Sequence, residues 1–217
     1  LNLNKKLSFK ELKYFKKLIN RRKKKEPIAY ILEKKEFWKQ SFQINSNVLI
    51  PRPDTEIVVE EVLKHLPLSS SKSILEIGTG SGCLAITCAH QFPAARIIAT
   101  DISSAALNVA CANVTHYGLQ EQLELRISDV WSQVDETFDV IISNPPYVTR
   151  ADLEGAPAEF AHEPRLGLAA GEDGLDIVRE ILAGAPKHLN RDGVAKTHEW
   201  RAWLTIGDDF QHASLAE

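Results

Sequence analysis

The stretch Ile74-Leu75-Glu76-Ile77-Gly78-Thr79-Gly80-Ser81-Gly82 decides the fold of this 217-residue chain. Its apolar run over 74–77 predicts a buried strand and its glycines a tight turn. Leu84, Ala85, Cys88 and Ala89 then mark the inner face of a helix. Strand, glycine turn and helix together bring backbone close to a nucleotide-like ligand. The spacing narrows the choice. A dinucleotide fingerprint runs G-x-G-x-x-G, whereas Gly78, Gly80 and Gly82 run G-x-G-x-G, and Cys83 stands where the third glycine belongs. No Gly-Lys-Ser/Thr closes the turn, so it is not a phosphate loop. Glu76 precedes it instead, and a carboxylate there suits a cationic amino group better than a pyrophosphate.

Working outward, strands and helices alternate downstream. Residues 96–100 read as a strand ending in Asp101, followed by a helix from Ser103 to about His116. A third strand over 123–127 ends at Ser128-Asp129, and a fourth over 138–142 runs into Asn144-Pro145-Pro146-Tyr147. This alternation predicts an α/β fold with a doubly wound, mostly parallel sheet. Ligands of such sheets sit at the carboxyl ends of the strands, where Glu76, Asp101, Asp129 and Asn144 all fall. Asp101 can accept from two ribose hydroxyls. Asp129 can accept from the exocyclic amine of an adenine, with Val130 and Trp131 covering the ring.

Upstream the chain changes character. Residues 1–40 carry fourteen Lys/Arg against four acids, and the other 177 carry twelve against twenty-five, so a formal charge of −3 hides +10 and −13. The basic segment reads either as a docking surface for an acidic or nucleic-acid-associated partner or as a solvated helix face. Ser8-Phe9-Lys10-Glu11 has the form of a capping box, with Leu12, Phe15, Leu18 and Ile19 on one face of a helix that ends at Pro27 at the latest. Residues 36–44 alternate as a strand, with 48–50 as the hairpin partner, and Asp54 or Thr55 caps a helix carrying Ile57, Val58, Val62 and Leu63. The three cysteines, Cys83, Cys88 and Cys111, lack C-x-x-C spacing and read as reduced core thiols of a cytosolic protein. No apolar run reaches the length of a membrane span. Methionine is absent even at position 1, so the sequence is not expected to begin at an initiation codon.

Asn144-Pro145-Pro146-Tyr147 carries the chemistry. Two prolines cannot continue a sheet ladder, so the chain leaves the strand with a stiff backbone. A planar amide or aromatic amine is a poor nucleophile because its lone pair is delocalised. The Asn144 side-chain carbonyl and the Pro145 backbone carbonyl can hold its two N–H groups, and Tyr147 can stack on its face. Such positioning lowers a barrier by roughly 7–11 kcal/mol in favourable cases, and a sulfonium methyl as electrophile requires neither metal nor strong base.

On these residues the chain resembles the class I S-adenosylmethionine-dependent methyltransferases, with their Glu-x-Gly-x-Gly turn and ribose-binding acid. More narrowly it resembles the release-factor glutamine methyltransferases, the HemK/PrmC family. The narrower likeness rests on Glu26-Pro-Ile-Ala-Tyr-Ile-Leu32 with Glu36-Phe-Trp38, Leu49-Ile-Pro-Arg-Pro-Asp-Thr-Glu56, Ser143-Asn-Pro-Pro-Tyr-Val148, and Glu163-Pro-Arg-Leu166 with Gly171-Glu-Asp-Gly-Leu175, over roughly residues 26–193. The resemblance implies S-adenosylmethionine as cofactor, held by Glu76, Gly78, Thr79, Gly80, Ser81, Gly82, Asp101, Ile102, Asp129, Val130 and Asn144. It implies methylation of the glutamine amide in the Gly-Gly-Gln motif of peptide chain release factors, with Asn144, Pro145, Pro146 and Tyr147 holding that glutamine and Arg52, Pro53 and Glu56 beside it. The expected organisation is a basic, helical docking segment over 1–35, a β-hairpin linker over 36–53 and the methyltransferase domain over 54–217. The expected protein is a cytoplasmic monomer with no membrane contact, no metal and no nucleic-acid substrate.

Two departures stand out. Glu33 replaces a family glycine, and from about residue 194 the sequence offers no long apolar strand. A sheet lacking its closing C-terminal strands, and reduced stability from the open edge, are therefore expected. An adenine amine methyltransferase of DNA or RNA and a truncated binding module without turnover are the alternative readings.

Overall fold

The computed structural model describes residues 6–197, 203–206 and 211–214. Helix α1 (Phe9–Lys23) starts where the capping box predicts: the Ser8 hydroxyl accepts from the Glu11 N–H, and the Glu11 carboxylate accepts from the Ser8 N–H. Its apolar residues form no buried face. Phe9 is 84% exposed and Leu12, Phe15 and Ile19 are exposed as well. Ion pairs of Arg21 with Glu26 and of Arg22 with Glu159 hold the far end of the helix. Helix α2 (Ile28–Leu32) ends on Glu33, a non-glycine residue in the left-handed region at φ 54°.

Strands β1 (Lys34–Phe37) and β2 (Gln40–Gln43) pair as an antiparallel hairpin. The hairpin thus lies inside the segment expected to be mostly one strand, and residues 48–50 join neither sheet, which corrects the expected partner. Trp38 and Lys39 both take positive φ, 49° and 59°, the turn whose twist matches paired strands. A 3-10 turn, Pro53–Thr55, leads into α3 (Glu56–His65). Neither Asp54 nor Thr55 caps this helix with a side-chain hydrogen bond, a second correction.

From there the alternation follows the sequence reading: β3 (Ser73–Ile77), α4 (Cys83–Gln91), β4 (Arg96–Asp101), α5 (Ser104–Tyr117), β5 (Leu123–Ile127) and β6 (Phe138–Ser143). A short α6 (Arg150–Glu154) and α7 (Asp176–His188) precede β7 (Leu189–Thr197), β8 (Trp203–Ile206) and β9 (Gln211–Ser214). The sheet order is β5-β4-β3-β6-β7-β8-β9, parallel through β7, with β8 and β9 added antiparallel. Closing strands are therefore present, contrary to expectation; the remainder of the atypical tail lies outside the described residues. A ladder is made by backbone groups, so an outer antiparallel strand needs no continuous apolar run.

Side-chain alternation along β3 feeds two cores. Ile74 joins Val58, Val59 and Val62 of α3, Leu84 and Ile86 of α4 and Val109 of α5. Leu75 and Ile77 join Ile181 and Ala185 of α7 on the opposite face. Each such valine, leucine or isoleucine side chain contributes about 1.5–3 kcal/mol on burial. Asn113 of α5 exchanges hydrogen bonds with the backbone of Gln43 (2.8 and 2.9 Å) and donates to the Ser81 carbonyl at 2.8 Å. Tyr117 does the same for Ser41, so α5 locks the hairpin to the glycine turn. Cys83 and Cys88 are buried as read, whereas Cys111 is exposed and no core thiol. Among the described residues no helix is long and apolar enough to cross a membrane. The strand order reverses between β3 and β6, so their carboxyl ends flank the switch point.

Candidate active site

Glu76 lies one residue before the end of β3, with only 1% of its surface exposed. Its Oε2 accepts from the Thr79 hydroxyl at 2.6 Å and from the Ala85 N–H, in the first turn of α4, at 3.0 Å. One carboxylate therefore shapes the turn and caps the helix behind it. Burial pushes its pKa up to about 8; the Thr79 and Ala85 bonds pull against that, and nearby Asp101 adds to it. Gly78 and Gly80 have φ of 74° and 55°, and a Cβ on either would meet no atom within 4 Å. Their backbone conformation requires glycine, and their outer side is open to a ligand. Gly82 differs: its Cβ would press on Ile86 at 3.3 Å and Ala110 at 3.4 Å, so it serves helix packing and does not line the cleft.

Asp101 closes β4 and faces the same turn. One carboxylate oxygen accepts from the Gly80 N–H at 2.8 Å and the other from the Ser103 N–H at 2.9 Å, which leaves each oxygen able to accept again. Burial raises its pKa, partly offset by these backbone donors. Ile102 exposes its side chain beside it. Asp129 sits on an exposed turn whose N–H bonds the Ser132 hydroxyl at 2.9 Å. Val130 is buried against the cleft at φ 41°, a left-handed conformation that costs a branched residue about 1–3 kcal/mol. The Ser128 hydroxyl, donating to the Val130 carbonyl at 3.0 Å, holds it there. Trp131 corrects the sequence reading: it turns away and stacks on His188 at 4.5 Å, with its Nε1 donating to the Glu180 carbonyl. Gly184 makes room for it, since a Cβ there would lie 2.1 Å from that nitrogen.

Asn144 follows β6 directly. Its Nδ2 donates to the Thr55 hydroxyl at 3.2 Å, while its Oδ1 is buried with no hydrogen-bond partner among the described residues. Pro145 is buried, and Pro146 lines the cleft. Tyr147 instead lines a second cleft of about 490 Å³, with Arg52 and Phe160, which shares Leu49 and Gly167 with the first. Gly174, at φ 77°, packs on this segment so closely that a Cβ would stand 2.3 Å from the Tyr147 carbonyl oxygen.

Arg52, Pro53 and Glu56 part company. Arg52 pairs with Glu163 at 2.6 Å and lies 5.7 Å over the Phe160 ring. Glu56 accepts from the Trp38 N–H at 2.8 Å and so anchors the hairpin turn, and neither it nor Pro53 lines the clefts at Asn144 and Tyr147. Two residues the sequence reading did not place at the site belong to it. Glu163, 6% exposed, accepts from Arg52 and from the Ile50 N–H at 3.2 Å, tying together the two segments that roof the first cleft; Thr55 holds Asn144. Their presence in the resemblance stretches was the one available signal.

The first cleft has a volume of about 250 Å³ and brings together Glu76, Gly78, Thr79, Gly80, Ser81, Asp101, Ile102, Asp129, Val130 and Asn144. An acid at one end, paired acceptors in the middle, open glycine backbone and an apolar shelf suit a nucleoside carrying a cationic amino-acid tail. Among the described residues no cluster of His, Cys, Asp and Glu is placed to hold a metal ion.

Residues 55–163 match the family described as Methyltransferase small domain. The chain is 40% identical over 195 residues to a release factor glutamine methyltransferase of Geobacter sulfurreducens, covering 89% of this chain and 67% of that protein. It is 43% identical over 204 residues to a ribosomal protein uL3 glutamine methyltransferase of Bordetella pertussis, covering 92% of this chain and 66% of that one. The chain thus spans about two thirds of the length of these relatives. Among solved structures, the catalytic domain of hMettl16 superposes with a TM-score of 0.59 at 16% identity, over 78% of this chain and 64% of that one, a likeness of fold.

Proposed function

The chain belongs to the methyltransferase small-domain family and, within it, to the class I S-adenosylmethionine-dependent enzymes that include the release factor glutamine methyltransferases; on that premise we propose that it methylates the side-chain amide nitrogen of a protein glutamine. The acceptor we assign is the glutamine of the Gly-Gly-Gln motif in peptide chain release factors. One observation carries this reading: the buried, unpartnered Oδ1 of Asn144 beside the cofactor cleft. Buried acceptors are almost always satisfied, and a donor arriving with a ligand in the adjoining cleft would satisfy this one.

A primary amide brings two N–H donors. Asn144 Oδ1 takes one and the Pro145 carbonyl the other, which fixes the plane and direction of the nitrogen. When bound, S-adenosylmethionine would supply an electrophilic methyl on a cationic sulfur; the N–CH3 bond would form as the S–CH3 bond breaks, leaving a neutral thioether, and the surplus amide proton would be released. Glu76 would hold the amino group of the cofactor, Asp101 its ribose, and Asp129 with Val130 its adenine. The apolar wall of Val48, Leu49, Pro51 and Ile77 excludes water from the reacting atoms. We assign the basic segment over 1–35 to docking of the protein substrate, and the chain to the cytoplasm as a monomer.

A second acceptor is favoured by the relative from Bordetella pertussis, named for the glutamine of ribosomal protein uL3. The experiment offers labelled S-adenosylmethionine with a release factor, with uL3, and with copies of each whose target glutamine is replaced. Label confined to the intact release factor supports the first reading and label confined to intact uL3 the second; label on the replaced copies sinks both.

A further inference from the structure

We infer that Thr55 is a positioning residue for the transfer, its hydroxyl pinning the side-chain amide of Asn144 at the cofactor cleft with the amide oxygen left to receive the incoming glutamine. This rests on the glutamine-methylation reading above. A side-chain amide has nearly the same shape when turned over about its last bond, but the chemistry reverses. Turned over, Asn144 would present N–H groups to a substrate that also presents N–H groups, and the nucleophile would be pushed off line. The Thr55 hydroxyl accepts from Asn144 Nδ2 at 3.2 Å across 89 residues of sequence, and that bond leaves Oδ1 as the unused acceptor. Both residues line the cofactor cleft, and Thr55 is only 2% exposed.

The hydroxyl is offered from a rigid support. Thr55 ends the 3-10 turn Pro53–Thr55, and its N–H donates to the Arg52 carbonyl at 3.1 Å. Pro53 fixes φ inside the turn, and the Glu163 carboxylate clamps Arg52 before it. Two residues of Arg52-Pro53-Asp54-Thr55 thus acquire a task that their sequence alone does not declare: Arg52 sets the turn, and Thr55 reaches the catalytic asparagine. A group held this way keeps its geometry without reorganising during reaction.

Thr55→Val removes the hydroxyl at nearly constant volume, and Thr55→Ser keeps it while dropping the methyl. In transfer to a release factor, Thr55→Val lowers kcat about 10–100-fold while KM for S-adenosylmethionine stays within about threefold, and Thr55→Ser restores most of the rate. In an Asn144→Ala background Thr55→Val costs nothing further, because the residue acts only through Asn144. A second readout needs no acceptor: solvent exchange of the Asn144 Nδ2 protons, followed by nitrogen-edited spectra, is slow in the parent and in Thr55→Ser and at least about tenfold faster in Thr55→Val. Equal losses in the Val and Ser variants, an unchanged kcat in Thr55→Val, or unchanged exchange would each overturn the inference. A parent protein that methylates no glutamine sinks the functional reading instead, and the exchange comparison still decides the role of Thr55.

Discussion

Replacing Glu76 with glutamine tests the cofactor end of the cleft. The carboxyl is fully buried, and burial lifts its pKa from 4.5 to about 8, so at pH 7 without ligand it is held mostly protonated. An acid whose folded pKa is raised is a stability cost that grows with pH. Below about pH 4.5 both folded and unfolded chains hold the proton. Between pH 4.5 and 8 the unfolded chain releases it and the folded chain does not, so stability falls through that window. The full effect is several kcal/mol at order of magnitude, since each pKa unit corresponds to roughly 1.4 kcal/mol. Glutamine keeps an oxygen for Thr79 and Ala85 and has no proton to lose. Glu76→Gln therefore matches the parent in urea denaturation at about pH 4 and exceeds it increasingly toward pH 8.

Binding responds in the opposite sense. A cationic amino group favours the ionised carboxylate, so parent affinity for S-adenosylhomocysteine rises from pH 6 to about 8, and at pH 7 binding expels a proton. The variant loses a charge-assisted hydrogen bond worth about 1.5–3 kcal/mol, or roughly 10–100-fold in affinity, and its affinity is flat with pH. Calorimetry in two buffers of different ionisation heat reads both the affinity and the proton. Equal affinity of parent and variant, or a parent that binds with no proton release, would refute the placement of Glu76 on a cation.

Three further outcomes follow from local geometry. Gly174→Ala forces a Cβ toward the Tyr147 carbonyl oxygen at 2.3 Å from a residue at φ 77°, so it lowers the midpoint of urea unfolding by about 1–3 kcal/mol and reduces kcat with it. Arg52→Ala leaves the buried Glu163 carboxylate without its cation; because Arg52 is itself partly exposed the loss is about 1–3 kcal/mol, and adding Glu163→Gln recovers part of it in the same denaturation assay. Glu33→Gly relieves a left-handed glutamate at the end of α2 and raises stability by about 0.5–1 kcal/mol, a gain of a few degrees in thermal midpoint without change in kcat.

What was legible in the sequence was whatever one element declares by itself. Strands β3 to β6 are apolar runs of ordinary length between breakers, so their bounds fall within a residue or two of the reading. The carboxyl ends of parallel strands share one edge by topology, which is why Glu76, Asp101, Asp129 and Asn144 converge. The hairpin was misread because Trp38-Lys39 adopts a turn that composition associates with Asn-Gly. The α1 face stayed open between a docking surface and a solvated face because helical periodicity records an amphipathic helix but not whether anything covers it.

The residues that the sequence left silent act at long range. Thr55 meets Asn144 across 89 positions and Glu163 meets Arg52 across 111, and neither pairing has a period or a motif that a local reading can detect. Trp131 shows the converse: beside a cleft-lining valine in sequence, it is carried to the far side by the left-handed backbone of Val130 and seated over Gly184. The strain at Val130 therefore has two consequences. It turns the valine side chain to the cleft and sends the next residue to α7, so this wall of the cleft and the α7 packing are set by one unusual φ. A substitution that relaxes that φ should disturb both together, and the Trp131–His188 stack is the optical reporter that would register it.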